Sequence, residues 1–260
     1  MDYSLLLTMV AWLGLVTMRI AVAFIVTPLF APTLFTGTAR AMIIVVLALV
    51  PMTVVPFEQF AVNQPLVMGG MLVREAFVGL LIGFLISLPI WVVHNVGAVI
   101  DLLTGSSNAS FFDPLTGHEG GPLPTIMQHL FVALFLAAGG FTLIAEALYD
   151  SYRIWPVGAP LPHFDALFQT FWISRTESLF SASVKLVAPV AIALVAVDFT
   201  LGLINRFVPQ FNIFDLSPAL KGGVALLVLY AVFAFFAEQV LQSIASAVTL
   251  PSLYEALGRP

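Results

Sequence analysis

The side chains best able to do chemistry are gathered in one stretch of the sequence, Gly97–Pro124. Asp113, His118 and Glu119 are residue types that bind metals, but their spacing matches neither an HExxH motif nor an EF-hand loop, and the chain has no cysteine. We therefore predict no metal site. Asp113 is better explained as part of a turn with Pro114, because a residue before proline is held extended and aspartate bonds to nearby backbone.

Catalytic motifs are absent from the rest of the sequence. DPLTG superficially resembles the phosphorylated aspartate loop of ion pumps, but the Lys-Thr continuation is missing. The chain contains no GxxxxGK[ST] and no GxSxG motif. His94, His129 and His163 are scattered, and single histidines are more often packed or capped than catalytic. The sequence thus predicts a protein that is not an enzyme and needs no cofactor.

The same central stretch predicts a long loop. It lacks a hydrophobic period and is rich in Gly, Ser, Asn, Asp and Pro, which favour turns. A loop of about 20 residues is uncommon unless it is functional or disordered. Phe111 and Phe112 lie inside it and require dry surroundings. We predict that this loop is a movable plug and that the helices around it form its frame.

Composition assigns the chain to a membrane. Of its 260 residues, 60% are hydrophobic and 9% charged, and the mean hydropathy is +1.06, which no soluble domain of this length could bury. The net charge of −5 is spread without a basic run, which excludes nucleic acid as a partner. The start of the chain lacks a basic n-region and predicts a first membrane helix rather than a cleaved signal.

Six apolar segments predict an all-α integral membrane protein with kinked helices. They cover roughly residues 4–30, 39–56, 66–100, 125–149, 178–206 and 220–250. Most of them reach the ~20 residues that a membrane-spanning helix needs. Pro89 and Pro189 predict kinks or breaks within their segments. A proline-rich connector, residues 154–177, separates an N-terminal part, residues 1–153, from a C-terminal part, residues 178–260.

Several charged residues lie inside these apolar segments, where hydrocarbon would make them costly, so we expect them to face a bundle interior, a partner or a water-filled path, with buried protein contacts for Asp198 and Glu238. They are Arg19, Arg74, Glu75, Glu146, Lys185, Asp198 and Glu238. For Arg74 and Lys185, snorkelling to the membrane surface is an alternative. Glu75, Gly79, Gly83 and Ser87 recur every four residues and form one helix face. The two glycines permit another backbone to approach closely, either in this chain or in a partner.

Four motifs in chain order carry a family resemblance. They are MRIAVAFIVTPLFAPTLFTGTARAMIIVVLAL, REAFVGLLIGF, GAVIDLLTGSSNASFFDPLTG and LGLINRFVPQFNIFDLSPALK. The chain resembles the FliR/SctT family, the export-gate subunit of flagellar and virulence type III secretion systems. EALYDSYRIWPV is similar to the virulence-type SctT branch more than to the flagellar FliR branch.

The resemblance implies a non-enzymatic, pore-forming and gating subunit of the export apparatus in the bacterial inner (cytoplasmic) membrane, within a secretion-system base. Its apolar segments would form kinked helical hairpins, with residues 1–153 SctR-like and residues 178–260 a SctS-like hairpin. The loop 102–122 would lie in the lumen of a helical, cone-like hetero-oligomer. The implied partners are SctR/FliP-type and SctS/FliQ-type sister subunits, a SctU/FlhB-type switch protein, a SctV/FlhA-type export gate, membrane lipid and unfolded secreted substrates.

Two groups of residues are assigned on this basis. The channel plug comprises Gly105, Ser106, Ser107, Asn108, Phe111, Phe112, Asp113 and Pro114. Subunit assembly is assigned to Arg19, Glu75, Gly79, Gly83, Asp198, Arg206, Pro209, Gln210, Asn212, Lys221 and Glu238.

Two other functions are compatible with intramembrane charges and interrupted helices. A polytopic secondary transporter or permease for a small solute would show two halves with matching interrupted segments. We find no internal repeat of that length in the sequence. A scaffold without a gate is the other alternative, and the aromatic pair in the central loop argues against it.

Overall fold

The computed structural model describes residues 3–31, 34–55, 65–105, 121–158, 166–208 and 216–231. Every regular element in these ranges is helical, which confirms the predicted all-α class. The α-helices are α1 (Tyr3–Val26), α2 (Gly37–Val54), α3 (Pro65–Thr104), α4 (Leu123–Ala137), α5 (Gly140–Ile154), α6 (Ala166–Phe207) and α7 (Leu216–Ala231), and Pro28–Phe30 form a short 3₁₀ turn. These helices follow the six apolar segments, with the fourth divided between α4 and α5.

Three helices in the described ranges are long and apolar enough to cross a membrane. Their spans are Met9–Val26, Leu66–Thr104 and Phe168–Phe207, with mean hydropathies of 2.2, 2.5 and 2.3. α4 and α5, which are separated at Gly139, together count as a fourth candidate. α2 and α7 are apolar but shorter. This set of helices fits a protein whose solvent is lipid and neighbouring protein.

α3 and α6 are continuous through their internal prolines. α3 has 40 residues and contains Pro89, and α6 has 42 residues and contains Pro189. The alternative of a broken helix at Pro89 is therefore wrong. A proline removes one helical hydrogen bond, and in apolar surroundings the flanking backbone groups have no better partners than the helical ones. α6 also begins at Ala166, so residues 166–177 of the predicted connector are helical.

The chain divides into two compact units. The first contains the described residues up to Leu88 together with Phe135–Ile173, and the second contains Pro89–Leu134 together with the described residues from Ser174 onward. In the first unit Leu15, Val16 and Val55 form a buried cluster. In the second unit one buried face of α3 carries Val92, Val93, Val96 and Ile100. The division at the proline-rich residues 154–177, which the sequence indicates, stays a prediction.

Candidate functional site

The structure describes only the two ends of the predicted plug loop. Of the plug residues, Gly105 is described, while Ser106, Ser107, Asn108, Phe111, Phe112, Asp113 and Pro114 lie outside the described residues. Their role therefore stays a prediction, as does the turn at Asp113 and Pro114. Both ends of the loop belong to the second unit, where they can be described in detail.

The first end is the C-terminus of α3. Gly105 follows the helix with a φ of 79°, a left-handed conformation that glycine adopts without steric cost. Its N–H donates to the carbonyl of Leu102 at 3.3 Å, and the hydroxyl of Thr104 donates to the carbonyl of Asp101 at 3.1 Å. These bonds satisfy carbonyls that a helix end leaves without helical partners.

Asp101 connects this end to the other end of the loop. Asp101 is only 1% exposed. Its Oδ2 accepts a hydrogen bond from the N–H of Leu123, the first residue of α4, at 3.0 Å. A carboxylate at a helix N-terminus satisfies an orphan donor and interacts favourably with the helix dipole. The other oxygen, Oδ1, is buried and has no hydrogen-bond partner in the described part of the chain.

Two glycines allow this close approach. A Cβ on Gly97 would lie 2.6 Å from the Cα of Pro124 and 2.9 Å from the carbonyl carbon of Leu123. A Cβ on Gly121 would overlap the carboxylate of Asp101. Further along the same two helices, His94 Nδ1 and Gln128 Oε1 are hydrogen-bonded at 3.1 Å. α3 and α4 are thus in close contact along the residues that flank the loop in sequence.

Lys221 of α7 makes a second connection to the end of α3. Its Nζ lies 3.3 Å from the carbonyl oxygen of Leu103 and 2.5 Å from Oδ1 of Asp198 on α6. A cation at the C-terminal carbonyls of a helix is favourable. The side chain of Lys221 is 14% exposed and that of Asp198 is 53% exposed. We call Asp101, Leu103, Gly121, Leu123, Asp198 and Lys221 the loop base.

The first unit holds a buried cationic site around Arg19. The side chain of Arg19 is fully buried, and its Nε and Nη2 lie 2.9 and 2.8 Å from Oε2 of Glu75. Nη1 donates to the carbonyl and the hydroxyl of Ser151 at 2.8 and 3.2 Å, and Nη2 donates to the carbonyl of Trp155 at 2.9 Å. Arg19 therefore both pairs with a carboxylate and caps the C-terminal end of α5.

Tyr152 and Gly158 complete this site. The guanidinium carbon of Arg19 lies 4.2 Å from the centre of the Tyr152 ring, within cation–π range. The Tyr152 hydroxyl donates to the carbonyl of Val16 at 2.7 Å, and the N–H of Gly158 donates to Oε1 of Glu75 at 3.4 Å. We call Arg19, Glu75, Ser151, Tyr152 and Trp155 the arginine cluster.

The Gly79 and Gly83 face packs against α1 of the same chain. A Cβ on Gly79 would overlap the carbonyl oxygen of Arg19, and one on Gly83 would lie 2.7 Å from that of Ala23. The Ser87 hydroxyl donates to the carbonyls of Gly83 at 2.5 Å and Val26 at 3.4 Å. Of the two alternatives left open by the sequence, packing within the chain is the one observed.

The predicted assembly residues accordingly fall into three groups. Arg19, Glu75, Gly79, Gly83, Asp198 and Lys221 make the contacts within the chain given above. Arg206 is exposed in the last turn of α6. Pro209, Gln210, Asn212 and Glu238 lie outside the described residues. Their contribution to subunit assembly stays a prediction.

Asp101 is the site residue that sequence reasoning missed. Gly97 and Asp101 are four residues apart, a spacing that places both on one face of a helix that leads into the loop. That pattern could have identified them. Among the described residues there is no group of three or more His, Asp or Glu side chains that could hold a metal ion.

Comparison with known proteins decides the family. A family model described as bacterial export proteins, family 1, matches residues 10–247. The chain belongs to this family. It is 28% identical over 215 residues to Yop proteins translocation protein T of Yersinia pestis, covering 82% of each chain. It is 33% identical over 157 residues to the surface presentation of antigens protein SpaR of Shigella flexneri, covering 60% of each chain. It is also 30% identical over 157 residues to the flagellar biosynthetic protein FliR of Bacillus subtilis, covering 60% of this chain and 61% of that protein. These matches agree with the predicted FliR/SctT family and its virulence-type branch.

Proposed function

We propose that this chain is a pore-forming and gating subunit of the type III protein secretion export apparatus. It would form part of the channel that admits unfolded protein substrates across the bacterial inner membrane. The family match over residues 10–247 is the observation that carries this proposal. Relatives named for Yop translocation and flagellar biosynthesis, and three helices in the described ranges that are long enough to span a membrane, support it.

The gate in this proposal is the loop 102–122. Phe111 and Phe112 provide an apolar obstruction, and the loop moves aside when a substrate passes. The described ends of the loop support such a role, because the N–H of Leu123 donates to the carboxylate of Asp101 and so holds the end of α3 to the start of α4. Ends that are held together at rest give a movable obstruction one resting position to which it can return.

Assembly with sister subunits follows from the same proposal. Large apolar side chains are exposed along α6, among them Ile192, Val195 and Phe199 at 71, 60 and 70%. Such a surface must be covered by lipid or by other chains. We assign this cover to lipid and to SctR/FliP-type and SctS/FliQ-type subunits, with SctU/FlhB-type and SctV/FlhA-type proteins as further partners. Arg206, Pro209, Gln210, Asn212 and Glu238 are the proposed contact residues outside the loop base and the arginine cluster.

The chain would act by binding and obstruction rather than by catalysis. A small-solute permease is the alternative that the sequence left open. The family match and the named relatives favour export. A purified chain that moved a small solute by itself in lipid vesicles would favour the permease.

Deletion of residues 106–120 tests the gate. The deletion removes the proposed obstruction and leaves Asp101, Gly121 and Leu123 in place. We expect the assembled complex to become permeable to small solutes, measured as ion or dye flux in vesicles. Replacement of the same residues by a Gly/Ser segment of equal length serves as the control for chain length and should also leak. Unchanged permeability in a complex with its full set of subunits would contradict the gate.

A further inference from the structure

The loop base brings together four helices of the second unit at one point. The last turn of α3 contacts the first residue of α4 through Asp101, and it contacts α7 through Lys221, which is in turn paired with Asp198 on α6. Asp101 and Lys221 both contact backbone groups at which the flanking helices begin and end.

Asp101 is incompletely satisfied for a buried carboxylate. An ionised carboxylate can accept about four hydrogen bonds, and buried polar atoms nearly always have a partner. One of its oxygens accepts a single N–H and the other accepts none in the described part of the chain. The hydrogen bond between Asp101 and Leu123 holds the two ends of the loop together with few additional stabilising contacts. The contact between the two ends of the loop at Asp101 therefore depends on one hydrogen bond among the described residues.

Lys221 adds a dependence on the C-terminal helices. Leu103 lies in the last turn of α3, where carbonyls have no helical partner, and the ammonium group of Lys221 supplies one. A displacement of α7 relative to α3 would break this contact. The half-exposed carboxylate of Asp198 holds the ammonium group in place and belongs to α6.

We propose that Asp101 and Lys221 are positioning residues that form a two-point clasp on the end of α3. Asp101 keeps the two ends of the loop together, and Lys221 makes the position of the loop base depend on α6 and α7. Movement of these two helices then opens the clasp and releases the loop. The inference rests on the proposed gating function of the loop.

Four variants test the clasp in the assembled complex. Asp101→Ala removes the acceptor for the Leu123 N–H, and Gly121→Ala places a methyl group against the carboxylate. Lys221→Met keeps the aliphatic stem without the charge, and Asp198→Asn removes only the charge that holds Lys221. We expect each to raise resting solute flux by roughly 2- to 10-fold, the range expected for loss of one net hydrogen bond. Gly222→Ala is the matched control, because nothing lies within 4 Å of a Cβ there.

A conservative replacement separates positioning from bulk structure. Asp101→Asn retains an oxygen that can accept the Leu123 N–H, so it should restore resting flux close to that of the unsubstituted chain. Hydrogen exchange of the Leu123 amide provides an independent measurement. Exchange should accelerate in Asp101→Ala and remain slow in Asp101→Asn. Equal exchange in the two variants would overturn the role of Asp101, whatever the flux.

The outcomes separate the clasp from the gate. If the 106–120 deletion leaks and the clasp variants stay tight in complete complexes, the clasp is overturned and the gate stands. If the deletion and the clasp variants leak while Gly222→Ala does not, both are supported. If the deletion stays tight, the gate is overturned and the clasp with it. Should Asp101→Ala fail to assemble, Asp198→Asn decides, because its carboxylate is half exposed and its loss leaves the buried contacts intact.

Discussion

The arginine cluster of the first unit and the loop base of the second unit each join a helix terminus to charged side chains on other helices. They differ in how deeply those side chains are buried and in how completely they are paired. Arg19 is completely buried and has a carboxylate, two backbone carbonyls and an aromatic ring around it. At the loop base, Asp101 has one oxygen without a partner in the described residues, and Asp198 is half exposed.

This difference separates a fixed joint from a releasable one. Breaking the arginine cluster would leave a buried cation or carboxylate uncompensated, which is costly in a protein interior. The ion pair between Lys221 and Asp198 at the loop base is less enclosed, because the side chain of Asp198 is 53% exposed, so we expect its loss to cost less. A channel subunit needs both properties, since its frame must hold while its obstruction moves. The predictions below test the contrast, and they are ordered by expected effect.

The largest effect is expected for Arg19→Leu. The substitution leaves Glu75 buried without its cation, so stability should fall by about 3–5 kcal/mol, read from thermal unfolding of the purified protein in detergent. The double variant Arg19→Leu/Glu75→Gln should recover part of this loss, because it removes the unpaired charge. Equal stability of the single and double variants would show that the ion pair is not what holds this joint.

Smaller effects on stability are expected for alanine substitutions at two glycines of α3, one destabilising and one stabilising. Gly79→Ala places a methyl group against the backbone of Arg19, which should cost about 1–3 kcal/mol through displacement of α1 from α3. Gly70→Ala meets nothing within 4 Å and should stabilise the helix by about 0.5–1 kcal/mol. Both are measured by unfolding of the purified chain. A neutral Gly79→Ala would contradict the close contact between the two helices.

The smallest effect is expected for Arg153→Ala. Arg153 Nη1 lies 3.6 Å from Oδ1 of Asp150, and the two side chains are 82 and 50% exposed. Such surface pairs contribute about 0–1 kcal/mol, so the unfolding midpoint should hardly change. Because Arg153 belongs to the same α5 segment that Arg19 caps, this variant is also the control for Arg19→Leu. A loss comparable to that of Arg19→Leu would remove the distinction between buried and surface charges on which the comparison depends.

The sequence predicted the helices better than it predicted their contacts. Long apolar segments identify membrane helices because only a helix satisfies its backbone in hydrocarbon, and α1, α2, α3 and α6 follow from that rule. The pair of Asp150 and Arg153 is also of a kind that helical spacing indicates, because residues three positions apart share a helix face. Continuity through Pro89 did not follow, because it depends on what surrounds the missing hydrogen bond rather than on the proline itself.

Contacts to backbone carbonyls explain the rest of the difference. Arg19 and Glu75 were both identified as buried charges, but no pattern in the sequence pairs two residues 56 positions apart. The contacts of Arg19 to the carbonyls of Ser151 and Trp155 cannot be predicted from residue types, because every residue has a backbone carbonyl. Asp101 was within reach of prediction, since its spacing from Gly97 and its place before the loop are visible. The residues of the loop itself remain assigned from the sequence alone.

The partners of Arg19 also constrain how the chain can be made. Synthesis runs from the N-terminus, so Arg19 is made with α1, before any of its partners. Glu75 comes next. Ser151 and Trp155 follow 132 and 136 residues after Arg19. During that interval a nascent chain carries a membrane-embedded cation without its partners, a costly arrangement in hydrocarbon. A product truncated before α5 never neutralises this cost completely. The hydrogen bonds of Arg19 are therefore complete only in a chain that extends through the end of α5.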